Sequence, residues 1–141
     1  MDPHRPLLLA LDDDVSMHSM LVRFLGLCGD RARYDVAAVA TPQEALAQVV
    51  ARPVPLLLAD YQLVGTTGLH VAVHMQHWSP MTTTILISAA VTAEMTALAR
   101  AHRVTHVLQK PFAIATLQHV VAPVLQAWEA TYGTRIRVGT E

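Results

Sequence analysis

Cysteine, lysine and long apolar runs are scarce in this chain. Cys28 is the single cysteine among 141 residues, which excludes an intrachain disulfide and a cysteine-based metal cluster. Its apolar neighbours predict a buried, unreactive thiol. No stretch approaches the roughly 18 apolar residues of a membrane span, and the run Leu7–Leu11 is too short for the hydrophobic region of a signal peptide. We therefore expect a soluble cytoplasmic protein without a membrane partner.

The charges are few and nearly balanced. The formal net charge is −1 and the isoelectric point is about 6.7, so nothing electrostatic favours nucleic acid or an anionic membrane as a partner. Hydrophobic residues make up 52% of the chain, which is enough to bury a sizeable core at a length typical of one domain. We expect residues 1–130 to form that domain and residues 131–141 to be a C-terminal tail or the start of a linker.

Short apolar runs alternate with segments of helical periodicity along the whole chain. The predicted strands are 7–11, 34–40, 56–59, 85–88 and 106–108. The runs are largely apolar and do not alternate between apolar and polar residues, which is typical of parallel strands covered by helices on both faces. The pattern predicts an α/β fold of the (βα)5 type, with a doubly wound, five-stranded parallel sheet.

Local signals place the helix ends. Ser16 is predicted to cap the first helix, and Thr41 caps the second with Pro42 at its first position. Pro123 lies inside the last helix and removes one backbone hydrogen bond. We expect it to kink or split that helix, with a second short helix over 124–132.

Charged and hydroxyl side chains follow four of the predicted strands. Because ligands bind beyond the carboxyl ends of parallel strands, we expect these side chains to meet at one edge. Two carboxylates about 4 Å apart repel by about 4 kcal/mol at an effective dielectric near 20, so a cation is needed between them. Oxygen ligands in small number favour Mg²⁺. The residues concerned are Asp12, Asp13, Asp14, Asp60, Ser88 and Lys110.

Each of these residues also has an ordinary structural interpretation. An aspartate after a strand is usually a turn or cap residue, and a lone lysine is usually a solvated charge. Their common placement at one end of four strands is what favours a functional site.

Four stretches resemble the receiver domain of two-component response regulators, over about residues 7–125. They are "LLLALDDD", "LLLADYQLVGTTG", "ILISAA" and "LQKPF". The resemblance implies a flavodoxin-like receiver fold and a cis Lys110–Pro111 peptide. It also implies that Asp12 and Asp13 are the acidic pair for Mg²⁺, with Asp13 the direct ligand. Asp60 then corresponds to the phospho-acceptor, Gln62 to the residue whose backbone carbonyl binds the metal, Ser88 to the switch hydroxyl and Lys110 to the invariant lysine.

A receiver domain of this kind is a signalling domain rather than an enzyme. The resemblance implies that Asp60 takes a phosphoryl group from a histidine kinase or phosphotransfer protein. The resemblance also implies that the fourth helix, fifth strand and fifth helix form the surface that switches. A homodimer would form through the same surface.

Nine of the ten basic residues are Arg, yet residue 110 is Lys. A compact ammonium can meet a carboxylate or a phosphoryl oxygen, whereas a guanidinium would crowd a small metal site.

Three positions depart from the family pattern. The usual proline four residues after the acceptor is Val64, which predicts a looser loop. The frequent arginine of the first helix is His18. The aromatic switch residue three positions before the lysine is Val107, so an inward-moving ring cannot carry the output.

Two other classes of protein remain as alternatives. In a haloacid-dehalogenase-like phosphatase, Asp12 would be the nucleophile and Asp14 the general acid, but that family needs an acidic pair beyond Lys110. The only acids there are Glu129 and Glu141. The other alternative is a pseudo-receiver, an interaction module that takes no phosphate.

The predicted third helix carries three histidines, spaced four and three residues apart. The spacing of His70, His74 and His77 can bind Zn²⁺ or Ni²⁺, but we interpret them as an exposed polar face.

Overall fold

Five parallel strands form the central sheet of the computed structural model, which describes residues 4–133. A separate two-stranded hairpin, β4 (Gln62–Leu63) and β5 (Thr66–Thr67), follows the third strand of that sheet. The sheet has the order β2-β1-β3-β6-β7, and all its pairs are parallel. Its strands are β1 (Leu7–Leu11), β2 (Asp35–Val39), β3 (Leu56–Asp60), β6 (Thr83–Ser88) and β7 (Val107–Gln109).

Five α-helices connect and cover the strands, which confirms the predicted (βα)5 doubly wound fold. A 3₁₀ turn, Val15–Met17, precedes the first helix, and a π-helical turn, Glu129–Gly133, follows the last. The predicted tail begins inside this π-helical turn, and residues 134–141 lie outside the described part of the chain. The helices are α1 (His18–Cys28), α2 (Pro42–Ala51), α3 (Gly68–Trp78), α4 (Ala93–Ala101) and α5 (Ile114–Trp128).

The central strands β1 and β3 are buried on both faces, which explains why they read as apolar runs. Along β1, Leu7, Leu9 and Leu11 pack into the core on one face, with residues of α2, α3 and α4. Leu8 and Ala10 point to the other face and pack with residues of α1 and α5. Alternate side chains of a strand point to opposite faces, so a strand with helices on both sides needs apolar residues at every position.

Threonine hydroxyls cap three of the helices. Thr41, Thr67 and Thr92 precede α2, α3 and α4, and each side chain accepts the backbone N–H three residues further on. These caps satisfy amide groups that have no partner inside the helix.

The prediction that Ser16 caps the first helix was wrong. Met17 is the N-cap residue of α1 and makes no side-chain capping hydrogen bond. The Asp14 carboxylate caps the preceding 3₁₀ turn instead, accepting the Ser16 backbone N–H at 3.1 Å and the Ser16 hydroxyl at 2.6 Å. A carboxylate one residue before the turn is the stronger acceptor, because it is charged.

The prediction that Pro123 splits the last helix was also wrong, because α5 continues through it to Trp128. Pro123 and His119 are both exposed. Water can therefore bind the His119 carbonyl, which has lost its helical donor.

Among residues 4–133, no helix combines the length and apolarity that crossing a bilayer requires.

A charged cluster fixes the amino end of the sheet. The Arg52 guanidinium lies 2.8 Å from the Asp35 carboxylate and also donates to the Arg5 carbonyl, and its side chain is only 4% exposed. The Arg5 guanidinium approaches Asp35 at 3.4 Å. Burial alone would raise the pKa of Asp35, but the hydrogen bond from Arg52 and the two positive charges lower it overall.

We expect Asp35→Asn to lower the free energy of unfolding by about 3 kcal/mol, because it leaves a buried guanidinium without this carboxylate. Since the folded pKa of Asp35 is lowered, the ionised carboxylate stabilises the fold above its ordinary pKa. That stability is lost as pH falls through the lowered value. Urea unfolding across acidic pH measures both effects. Exposed Glu94→Gln is the control, with an expected change of about 0.5 kcal/mol or less.

Candidate functional site

The site lies where the strand order reverses. The chain leaves β1 for β2 on one side and leaves β3 for β6 on the other, so a crevice opens between the carboxyl ends of β1 and β3. Asp12 directly follows β1, and Asp60 is the last residue of β3. The parallel register pairs Leu11 with Ala59, which brings the two aspartates to the same level of the sheet.

Three carboxylates meet in this crevice. Asp12, Asp13 and Asp60 each offer an oxygen, and these oxygens all lie within 4.8 Å of one another. Asp12 is fully buried, and one of its oxygens accepts the Asp14 backbone N–H at 2.9 Å. Asp13 accepts the Val64 backbone N–H at 2.8 Å. The backbone therefore holds the acidic pair in place, and Asp14 is directed away to cap the 3₁₀ turn.

The Lys110 ammonium is shared between two of these carboxylates. Its Nζ lies 3.4 Å from Asp12 Oδ2 and 3.5 Å from Asp60 Oδ2. The Lys110 backbone N–H donates to the Ser88 carbonyl at 2.7 Å, and the Lys110–Pro111 peptide is cis, as the resemblance implied. One positive charge thus faces three negative ones.

The environment of Asp60 raises its pKa. Burial is the main cause, and the negative charge of Asp12 adds to it, while Lys110 and the hydrogen bond from the Gln62 backbone N–H act in the opposite direction. Three carboxylates beside one ammonium leave the site with a net negative charge. Its donor set is oxygen only, in a partly exposed crevice, and it fits a small hard cation such as Mg²⁺.

The loop that was expected to be loose is a hairpin. Gln62 pairs with Thr67 and Leu63 with Thr66, and Gly65 makes the turn with a φ of 75°. Val64 replaces the usual proline, and the loop is held by this pairing and by the hydrogen bond from the Val64 backbone N–H to the Asp13 carboxylate. The Gln62 backbone carbonyl as a metal ligand stays a prediction.

Glycine at position 68 is required by a close approach of two backbone segments. A Cβ atom on Gly68 would lie 2.3 Å from the Asp60 carbonyl oxygen. The Gly68 N–H also donates to the Tyr61 carbonyl at 2.8 Å. Sequence reasoning missed this residue. The available signal was a glycine at the first position of a helix that a threonine caps.

Ser88 lies at the carboxyl end of β6 and is only 3% exposed. Its hydroxyl accepts the Ala90 backbone N–H at 3.2 Å. The structure gives no contact between this hydroxyl and the carboxylates, so its switch role stays a prediction.

Gln109, which sequence reasoning also missed, holds the loop that follows Ser88. Its side-chain amide donates to the carbonyls of Ala89 and Lys110, and its oxygen accepts the Val91 backbone N–H at 2.9 Å. An uncharged polar residue at the end of a strand, directly before the single lysine, was the signal available. One side chain therefore links the loop after β6 to the loop that carries Lys110.

His18, at the position of the frequent arginine, contacts the site through the backbone. Its Nε2 lies 2.7 Å from the Asp12 carbonyl oxygen. A carbonyl can only accept, so His18 donates here and fixes the backbone of the buried carboxylate.

Residues 8–122 match the family described as "Response regulator receiver domain". The chain belongs to this family. The receiver fold is confirmed by solved structures. The signal receiver domain of an HD domain-containing protein from Pseudomonas fluorescens Pf-5 is 20% identical over 92% of this chain and 93% of that one, with a TM-score of 0.77. The Vibrio cholerae chemotaxis protein CheY4 is 25% identical over 85% of this chain and 98% of that one, with a TM-score of 0.71. No curated protein matches the chain.

We expect Gly68→Ala to destabilise the receiver domain by about 2 kcal/mol, because the added methyl group forces the Asp60 backbone to move. Gly26→Ala is the matched control. Its Cβ would meet only the end of the flexible Arg31 side chain, at 2.7 Å. Alanine also favours a helix by about 1 kcal/mol over glycine. Chemical denaturation of both variants measures the difference, and equal stability of the two would contradict the close approach.

We expect Asp60→Asn to stabilise the metal-free receiver domain by about 1 kcal/mol at neutral pH, because it removes one of three neighbouring negative charges. The folded pKa of Asp60 is raised, so protonation favours the fold. The wild type should regain stability as pH falls through that raised value, and the advantage of the variant should shrink. Thermal unfolding in chelator measures this, and a less stable Asn variant would contradict it.

Proposed function

We propose that this receiver domain accepts a phosphoryl group on Asp60, from a histidine kinase or a histidine phosphotransfer protein, in the presence of Mg²⁺. The observation that carries the proposal is the position of the Asp60 carboxylate. It is 16% exposed, lies 3.5 Å from the Lys110 ammonium, and stands within 4.8 Å of two further carboxylates. A nucleophile beside groups that neutralise negative charge is what phosphoryl transfer requires.

The residues that would hold the metal are Asp13 and Asp60, with Asp12 in support and the Gln62 carbonyl as a further oxygen. The three carboxylates fit this role, because their oxygens are already gathered and are short of positive charge. When bound, the ion supplies neutralising charge to the phosphoryl oxygens.

The chain's own residues then perform the transfer. An Asp60 oxygen attacks the phosphorus in line, the new P–O bond forms, and the P–N bond to the donor histidine breaks, returning its electron pair to the imidazole. The Lys110 ammonium, between Asp12 and Asp60, moves to a phosphoryl oxygen. The domain undergoes this reaction on itself and acts as a signalling domain.

The output begins at the loop after β6. The Ser88 hydroxyl exchanges the Ala90 N–H for a phosphoryl oxygen, to which it donates. This movement pulls on residues 89–91, which Gln109 ties to β7. Since position 107 is Val, the change is passed on through this loop to the face of α4, β7 and α5. We assign that face to downstream binding and to homodimer formation, in the cytoplasm.

The geometry does not favour the phosphatase alternative. Its general acid would be Asp14, but that carboxylate is exposed and bound to Ser16. The hydrogen bonds from the Ser16 side chain and backbone lower the pKa of Asp14. A carboxyl that stays ionised is a poor proton donor at neutral pH.

Incubation with acetyl phosphate and Mg²⁺ should add the mass of one phosphate, and Asp60→Asn should abolish the gain. Asp14→Asn is the matched control, because it removes a neighbouring acid outside the carboxylate cluster, and it should label like the wild type. Intact-protein mass spectrometry measures all three. Labelling of the Asp60 variant would reject the acceptor assignment.

Beryllofluoride separates a receiver from a pseudo-receiver. The wild type with Mg²⁺ should bind it, with chemical-shift changes at Ser88, Lys110 and the loop 89–91. A spectrum that beryllofluoride leaves unchanged would favour an interaction module that takes no phosphate.

A further inference from the structure

We propose that His70 and His74 on α3 form a chelating site for a divalent transition-metal ion, separate from the acidic crevice. Both side chains are exposed, and their Nε2 atoms lie 3.1 Å apart. The residues are four positions apart, so they lie one above the other on the same face of the helix.

The distance between the two nitrogens matches the separation of two imidazole ligands on one metal ion. Metal–imidazole bonds are about 2.05 Å long, so nitrogens 3.1 Å apart give an N–metal–N angle of about 98°. That angle lies between about 90° for neighbouring tetragonal ligands and about 109° for tetrahedral ones. In the metal-free protein one ring donates a hydrogen bond to the other, and an ion would replace the shared proton.

The chemistry of the pair selects the class of ion. Two imidazoles favour Cu²⁺ first, with Ni²⁺ and Zn²⁺ weaker, whereas Mg²⁺ requires oxygen ligands. The third histidine does not join the pair, since the His77 ring packs edge-on against Trp78 with 5.8 Å between ring centroids. Water would fill the remaining coordination positions. All three histidines are exposed, as the interpretation of a polar face predicted.

The pair lies beside a groove that adjoins the acceptor loop. Both rings line a groove of about 430 Å³, together with Val64 and Gly65 of the hairpin turn. The Thr67 hydroxyl, at the end of this hairpin, accepts the His70 backbone N–H at 3.1 Å. An ion that bridges two successive turns of α3 should stabilise the helix at the point where it leaves the hairpin.

Isothermal titration of the full, tag-free chain tests the site, with millimolar Mg²⁺ present to fill the acidic crevice. We expect one Cu²⁺ per chain, with Zn²⁺ weaker, and nitrogen hyperfine structure in the electron paramagnetic resonance spectrum of the Cu²⁺ complex. His70→Gln and His74→Gln should each weaken binding by about tenfold or more. His77→Gln is the matched control on the same helix and should bind like the wild type.

Thermal unfolding supplies a second measurement. Cu²⁺ should raise the melting temperature of the wild type and of His77→Gln, and should leave that of His74→Gln unchanged. No saturable binding, or an equal loss of affinity in all three variants, would overturn the proposal. Phosphoryl labelling of Asp60 does not depend on either outcome, so the two proposals fail separately.

Discussion

The structure depends on one imbalance of charge. Three carboxylates and a single ammonium lie together at one edge of the parallel sheet. Lys110 neutralises part of the charge of Asp12 and Asp60, and burial together with the charge of Asp12 raises the pKa of Asp60. Negative charges in this proximity persist only because the backbone holds them there, through the amides of Asp14, Gln62 and Val64. A cation bound in this crevice would relieve the same imbalance.

The rest of the fold holds these groups at fixed positions. Buried leucines on both faces of β1 and β3 fix the register that aligns Asp12 with Asp60. The close approach of Gly68 to the Asp60 backbone sets the start of α3. Gln109 connects the loop after Ser88 to the backbone of the segment that carries Lys110.

Much of this arrangement could be predicted from the sequence, because parallel strands place their carboxyl ends at one edge and apolar runs identify the strands. The positions of Asp12, Asp13, Asp60 and Lys110 follow from that rule. Contacts made by side chains across the fold could not be predicted, since their partners are distant in sequence. Gln109 with Val91 is one example. Pro123 was expected to kink or split the last helix, and the split was wrong because α5 continues to Trp128.

Anomalous diffraction from crystals grown with Mn²⁺, which takes the same oxygen ligands as Mg²⁺, tests the central claim most directly. We predict one strong peak bound by oxygens of Asp13 and Asp60, with the Lys110 ammonium beside it. Crystals without a peak between these carboxylates, or with Asp60 turned away from Asp13 and Lys110, would contradict it.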